Sequence, residues 1–222
     1  MERHLDQELT DLKQQLLKMG TLVETAIFES VGSLKEPNKE KINTIISEDK
    51  VIDDMENAID EWCLDLLALR QPMAIDLRFI TMSMKISTDL ERIADLAVDI
   101  AQRVQDLVGK PLLKPLVDIP KLTSLAQQMT KDALDAFVNK NSELACSVIL
   151  RDNEADKLRN LVQKELVDDY MSKDPTTATR AVPLLLIARH LERICDHATN
   201  IAEDVIYMVK ADVVKHHPER LQ

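Results

Sequence analysis

The sequence predicts an all-α protein built as two tandem, pseudo-symmetric antiparallel three-helix bundles. Composition is the first reason. Hydrophobic residues make up 45% of the 222 residues, yet aromatics are only 3% and glycines number three. Such a core is filled by Leu, Ile, Val, Ala and Met, as in helix bundles. Spacing is the second reason. Phe79, Met82, Ile86, Leu90, Ile93, Ala97, Ile100 and Val104 recur in steps of three and four, a helical period and not the alternation of a strand. A repeat is the third. "DLERIADLAVDIA" from Asp89 and "HLERICDHATNIA" from His190 begin 101 residues apart, and extended to Val104 and Val205 they agree at 9 of 16 positions.

Prolines and glycines punctuate six helical stretches. The first spans about Leu5 to Leu34 and stops before "EPNKEK". The second spans about Lys41 to Leu69 and stops at the turn Arg70, Gln71, Pro72. The third spans about Ala74 to Val108 and stops at "GKPLLKP". The fourth begins near Pro120, a residue suited to a first helical position, and ends at "NKNS". The fifth spans about Glu143 to Met171. The last runs from near Pro175 to about Val214, and Pro183 within it should kink it or delay its start.

The repeat extends beyond the acidic phrase. "DKVIDDM" from Asp49 matches "DNEADKL" from Asp152, and "LTDLKQQL" from Leu9 matches "LTSLAQQM" from Leu122. The expected division is residues 1–108, a connector at 109–119, and residues 120–222. Trp62 and the nine methionines read as packing residues.

Several functions are disfavoured. Without G-x-x-x-x-G-K or G-x-G-x-x-G the chain has no loop to cradle a nucleotide. A net charge of −11, no basic run and few aromatics argue against direct nucleic-acid binding. The longest apolar run, Ala181 to Ala188, is too short to be a transmembrane segment, and the charged start has no signal-peptide core. Cys63, Cys146 and Cys195 form no C-x-x-C, which fits single thiols in a reducing compartment. A cytoplasmic protein is expected.

The acids carry the functional question. Four residues advance a helix about 400°, so Glu91, Asp95 and Asp99 fall on one face. Glu192, Asp196 and Asn200 do the same in the last helix, on a face roughly opposite the apolar stripe. Asp49 and Asp53, and Asp152 and Asp156, repeat the spacing in the second and fifth helices. In the second, Glu56 and Asp60 continue the row beside the apolar stripe, where it could border a neighbour. Like charges four apart destabilise a helix by about 0.2–0.5 kcal/mol per pair. A solvated face and a hard-cation site therefore both stand as readings. Aligned carboxylates supply the oxygen ligands that Mg²⁺, Ca²⁺, Mn²⁺ or iron accept. His190 and His197 lie off the acid line and suit hydrogen bonds between helices. Acid–base catalysis would need a cleft, which a convex row does not offer.

The chain resembles the PhoU family of bacterial phosphate-transport accessory and regulatory proteins. The resemblance rests on "KMGTLVETAI" from Lys18, "EDKVIDDMENAIDEWC" from Glu48, "LRQPMAIDLR" from Leu69, "VILRDNEADKL" from Val148 and "HLERICDHATNIAEDVIYMV" from His190. It implies two three-helix bundles and an E(D)-x-x-x-D motif holding divalent or ferric ions, iron foremost, with magnesium, manganese, calcium and zinc as alternatives. The motif falls on Asp49, Asp53, Glu91, Asp95 and Asp99, and on Asp152, Asp156, Glu192 and Asp196. Asn200 stands in place of a third acid, which would weaken the second site. The resemblance further implies negative, non-catalytic regulation of phosphate uptake and of the phosphate-starvation response. The implied partners are a membrane phosphate ABC transporter and a sensor histidine kinase, and a homodimer is expected. The competing function is a metal-handling helical protein without a phosphate role.

Overall fold

A computed structural model of the chain describes residues 4–35 and 38–214. The start of the first expected unit, the Glu36–Pro37 stop of the first helix and the end of the second unit beyond Val214 lie outside them. Among the described residues there are six long helices and no strand. They are α1 (His4–Gly32), α2 (Lys39–Arg70), α3 (Ile75–Gln105), α4 (Asp118–Asn139), α5 (Ser142–Glu165) and α6 (Ala178–Lys210). A π-helical turn, Leu166–Met171, and a 3₁₀ turn, Pro175–Thr177, link α5 to α6.

Local signals set the ends. The Asn38 side chain accepts from the amides of Glu40 and Lys41 at 2.8 and 3.3 Å and caps α2. Asn141 does the same for Glu143 and Leu144 at 3.0 Å each, so the repeat includes its caps. After α2, Gln71 and Ala74 take φ of 47° and 46°, which turns the chain through Pro72 into α3. Helix α6 ends at Lys210, four residues short of the expected Val214, and two expectations about prolines also shift. Helix α4 starts at Asp118, two residues before Pro120; the proline still lies in the first turn, where its missing N–H breaks no bond. Pro183 does not delay α6, which already runs from Ala178. The Thr179 carbonyl, which Pro183 leaves without its usual N–H partner, accepts instead from Lys110 Nζ at 3.2 Å.

Helices α3 and α6 form the centre. α3 buries Leu90, Ile93, Ala94, Ala97, Ile100 and Ala101 among others, and α6 buries Leu191, Ile194, Cys195, Ala198, Ile201 and Ala202. Burying each Leu or Ile side chain is worth about 1.5–3 kcal/mol. Their register is antiparallel. Lys85 pairs with Asp204, Asp89 meets His197 and Asn200, and Asp99 meets His190. α1 and α2 cover α3, and α4 and α5 cover α6. α1 also meets α4, at a point so close that a Cβ on Gly20 would lie 2.3 Å from Leu134 Cδ1. One continuous core therefore runs through both halves. Trp62 is half-buried and packs against it.

Candidate functional site

The acids of α2 and α3 meet along one antiparallel seam. At one end Ser87 Oγ donates to Asp60 at 3.4 Å and Thr88 Oγ1 donates to Glu56 at 3.2 Å. Further along, Glu91 faces Glu56 and Asp53, and Asp95 faces Asp53 and Asp49. Of the five residues picked out by spacing, Asp49, Asp53, Glu91 and Asp95 thus face one another along the seam, while Asp99, one turn beyond Asp95, lies 3.7 Å from His190 on α6.

The seam differs from the expected convex face. α3 buries so much of its surface that little remains opposite the apolar stripe, and α2 packs beside what is left. Asp49, Asp53, Glu91 and Asp99 are consequently part-buried, while Asp95 stays exposed. Burial, with the Asp53 and Asp95 charges behind it, pushes Asp49 up to about 6. Burial and the Asp95 charge raise Glu91, and burial and the Asp53 charge raise Asp95. Mutual repulsion here is uncompensated enough that a cation would be welcome.

The second seam, between α5 and α6, brings together Asp152, Asp156, Glu192 and Asp196. Burial pushes Asp196 up to about 6, with Glu192, Asp152 and Asp156 adding to the rise. Burial and the Asp156 charge raise Asp152, and the Glu192 charge adds to the rise. Asn200 does not join this row; its Nδ2 donates to Asp89 on α3 at 3.4 Å. What most separates the seams is Arg159, which the sequence reading missed. Asp152 lies 103 residues after Asp49, and the same step leads from Glu56 to Arg159. Arg159 Nη2 sits 3.1 Å from Glu192 and 3.7 Å from Asp156, so this seam carries its own cation.

The histidines act between helices. His197 Nδ1 lies 2.8 Å from Asp89 Oδ1, the contact of a donating N–H and a carboxylate. His190 Nδ1 lies 3.7 Å from Asp99 and makes no hydrogen bond. Burial lowers His190 against the pull of Asp99, and Arg193, Arg103 and Arg189 lower it further.

The donor set suits a hard ion: oxygen ligands from two facing helices, with no thiolate among them. As the side chains stand, no group of three or more among the described residues closes into a coordination sphere. Carboxylate rotamers would have to turn inward to do so.

Fold and site define an all-α tandem helix-bundle protein with an acidic seam on each half. The PhoU domain family model matches residues 16–104 and 119–205. A phosphate-specific transport system accessory protein PhoU homolog of Aquifex aeolicus is 39% identical over 212 residues, covering 96% of each chain. A second such homolog, from Thermotoga maritima, is 36% identical over 222 residues, all of this chain and 94% of its own. The crystal structure of PhoU from Pseudomonas aeruginosa superposes with a TM-score of 0.89 at 38% identity, covering 94% of this chain and 100% of that one. The phosphate transport system regulatory protein PhoU from Streptococcus pneumoniae gives 0.88 at 31%, covering 95% and 99%. The chain belongs to the PhoU family.

Proposed function

We propose that this protein is a non-catalytic accessory regulator of a phosphate transport system, restraining phosphate uptake and the phosphate-starvation response. The observation that supports this reading is likeness along the whole chain to proteins named as accessory or regulatory proteins of a phosphate transport system. Among the described residues no helix is long and apolar enough to cross a membrane. A chain of this kind would act on the ABC transporter and a sensor histidine kinase by contact from the cytoplasm, as a homodimer. The two seams would hold iron or a divalent ion through Asp49, Asp53, Glu91, Asp95 and Asp99, and through Asp152, Asp156, Glu192 and Asp196. The ion would supply positive charge to carboxylates that now repel one another.

Deleting the gene tests the regulatory role. Phosphate-starvation genes should be derepressed in phosphate-rich medium, and phosphate uptake should rise. Unchanged expression and uptake, with no second copy to compensate, would overturn the proposal.

A further inference from the structure

Beyond the acids, the second half carries a cluster of cations. Between α5 and α6 lies an open cavity of about 530 Å³. Arg159, Arg189 and Arg193 line it, with Gln163, Glu192 and Asp196. Arg159 already engages Glu192 at 3.1 Å and lies 3.7 Å from Asp156, while Arg189 and Arg193 add two further guanidiniums to the same cavity.

Arg159 is engaged by the fold, whereas its two neighbours on α6 are not. Arg189 and Arg193 stand one turn apart on α6, exposed, and neither makes an ion pair or hydrogen bond among the described residues. Like charges at that spacing repel. Arg159 binds Glu192, Asn160 and Gln163 through its terminal nitrogens, yet its Nε is buried without a hydrogen-bond partner.

The other half sharpens the point. The positions that correspond to Arg159 and Arg189 are Glu56 and Thr88, and Thr88 donates to Glu56. The same place in the fold is acidic and internally satisfied in one half, and cationic with spare donors in the other.

We propose that the α5–α6 cavity is an oxyanion site in which Arg159, Arg189 and Arg193 hold inorganic phosphate. Guanidinium forks match the oxygens of a tetrahedral dianion, and charge-assisted hydrogen bonds are the strong ones. The site rests on the arginines alone, not on ions in the seams and not on the regulatory role. Binding is weakened at long range by the chain's net charge of −11, so it strengthens as salt is lowered only if the local cations dominate.

The test is a phosphate titration of the full chain after exhaustive chelation, followed by calorimetry or phosphorus NMR. Wild type should bind saturably, and sulfate should compete. Arg189→Ala with Arg193→Ala should weaken binding about tenfold or more while leaving the circular dichroism spectrum unchanged. Arg92→Ala, the counterpart of Arg193 in the first half, should leave it unaltered. No binding by wild type overturns the proposal. So does binding that chelation removes but the double variant keeps, because the seam ions would then be the receptor. Equal weakening by Arg92→Ala would reduce the effect to surface charge and overturn it too, as would a phosphoserine peptide that binds where inorganic phosphate does not.

Discussion

Asp49 and Asp196 hold their protons to about 6, well above the ordinary 3.8, because water is partly excluded and other carboxylates face them. Through that window the folded chain binds more protons than the unfolded one, so these groups favour folding at the acid end and lose that contribution as pH rises through about 6. In chelated protein, thermal scans of wild type against Asp49→Asn with Asp196→Asn should show the variant gaining stability at neutral pH and little below it. Both sites are half-exposed, so each contribution stays below about 1 kcal/mol. Adding the cation at neutral pH should restore wild type toward the variant. Glu91→Ala with Asp95→Ala should strip metal from the first seam only, as read by elemental analysis of protein purified without chelator. At the thiols, burial pushes Cys63 up to about 12 and raises Cys195 likewise, whereas Cys146 is half-buried. Alkylation of the folded chain should therefore mark Cys146, and denaturant should expose the other two. The acids themselves were legible in the sequence because their period matches a helix. Arg159 was not picked out, although the offset from Glu56 was there to read. Its meaning depends on which α6 carboxylate it meets across the seam, and no single-helix pattern contains that.

At Gly20, α1 comes close to Leu134 of α4. Glycine is normally a cost inside a helix, about 1 kcal/mol relative to alanine, so Gly20→Ala should be stabilising on propensity. The added Cβ would instead press on the buried Leu134 side chain, and overpacking costs about 1–3 kcal/mol. Denaturant unfolding should show Gly20→Ala neutral to about 2 kcal/mol destabilised. Leu134→Ala should be destabilising alone, and the double variant should recover part of the sum. The helices, their order and most of their ends could be read from apolar period and punctuation. Some backbone groups near helix ends are satisfied by distant residues. Lys110 reaches the carbonyl freed by Pro183, and Arg78 Nε donates to the Met208 carbonyl at 3.1 Å near the end of α6. Such long-range caps leave no local trace in the sequence.

The central helices also decide how the whole chain behaves. α3 buries residues against α1, α2 and α6 alike, and α6 does so against α4, α5 and α3. A fragment of residues 1–108 would leave the α6-facing surface of α3 open to water, and the same holds for α6 in residues 120–222. Each fragment alone should self-associate in sedimentation runs, and mixing the two should restore a one-to-one complex with cooperative melting. The connector is fixed at a few points along its length. Lys114, buried against Glu165, and Lys110, on Thr179, pin it in place. That arrangement makes the α3–α6 contact exchangeable between molecules. Shorten the connector until α4 can no longer lie beside α1, and each half must find its complement on another copy. The product would be a swapped dimer of doubled mass that keeps every contact across α3 and α6, and it would trade an intramolecular fold for a concentration-dependent assembly.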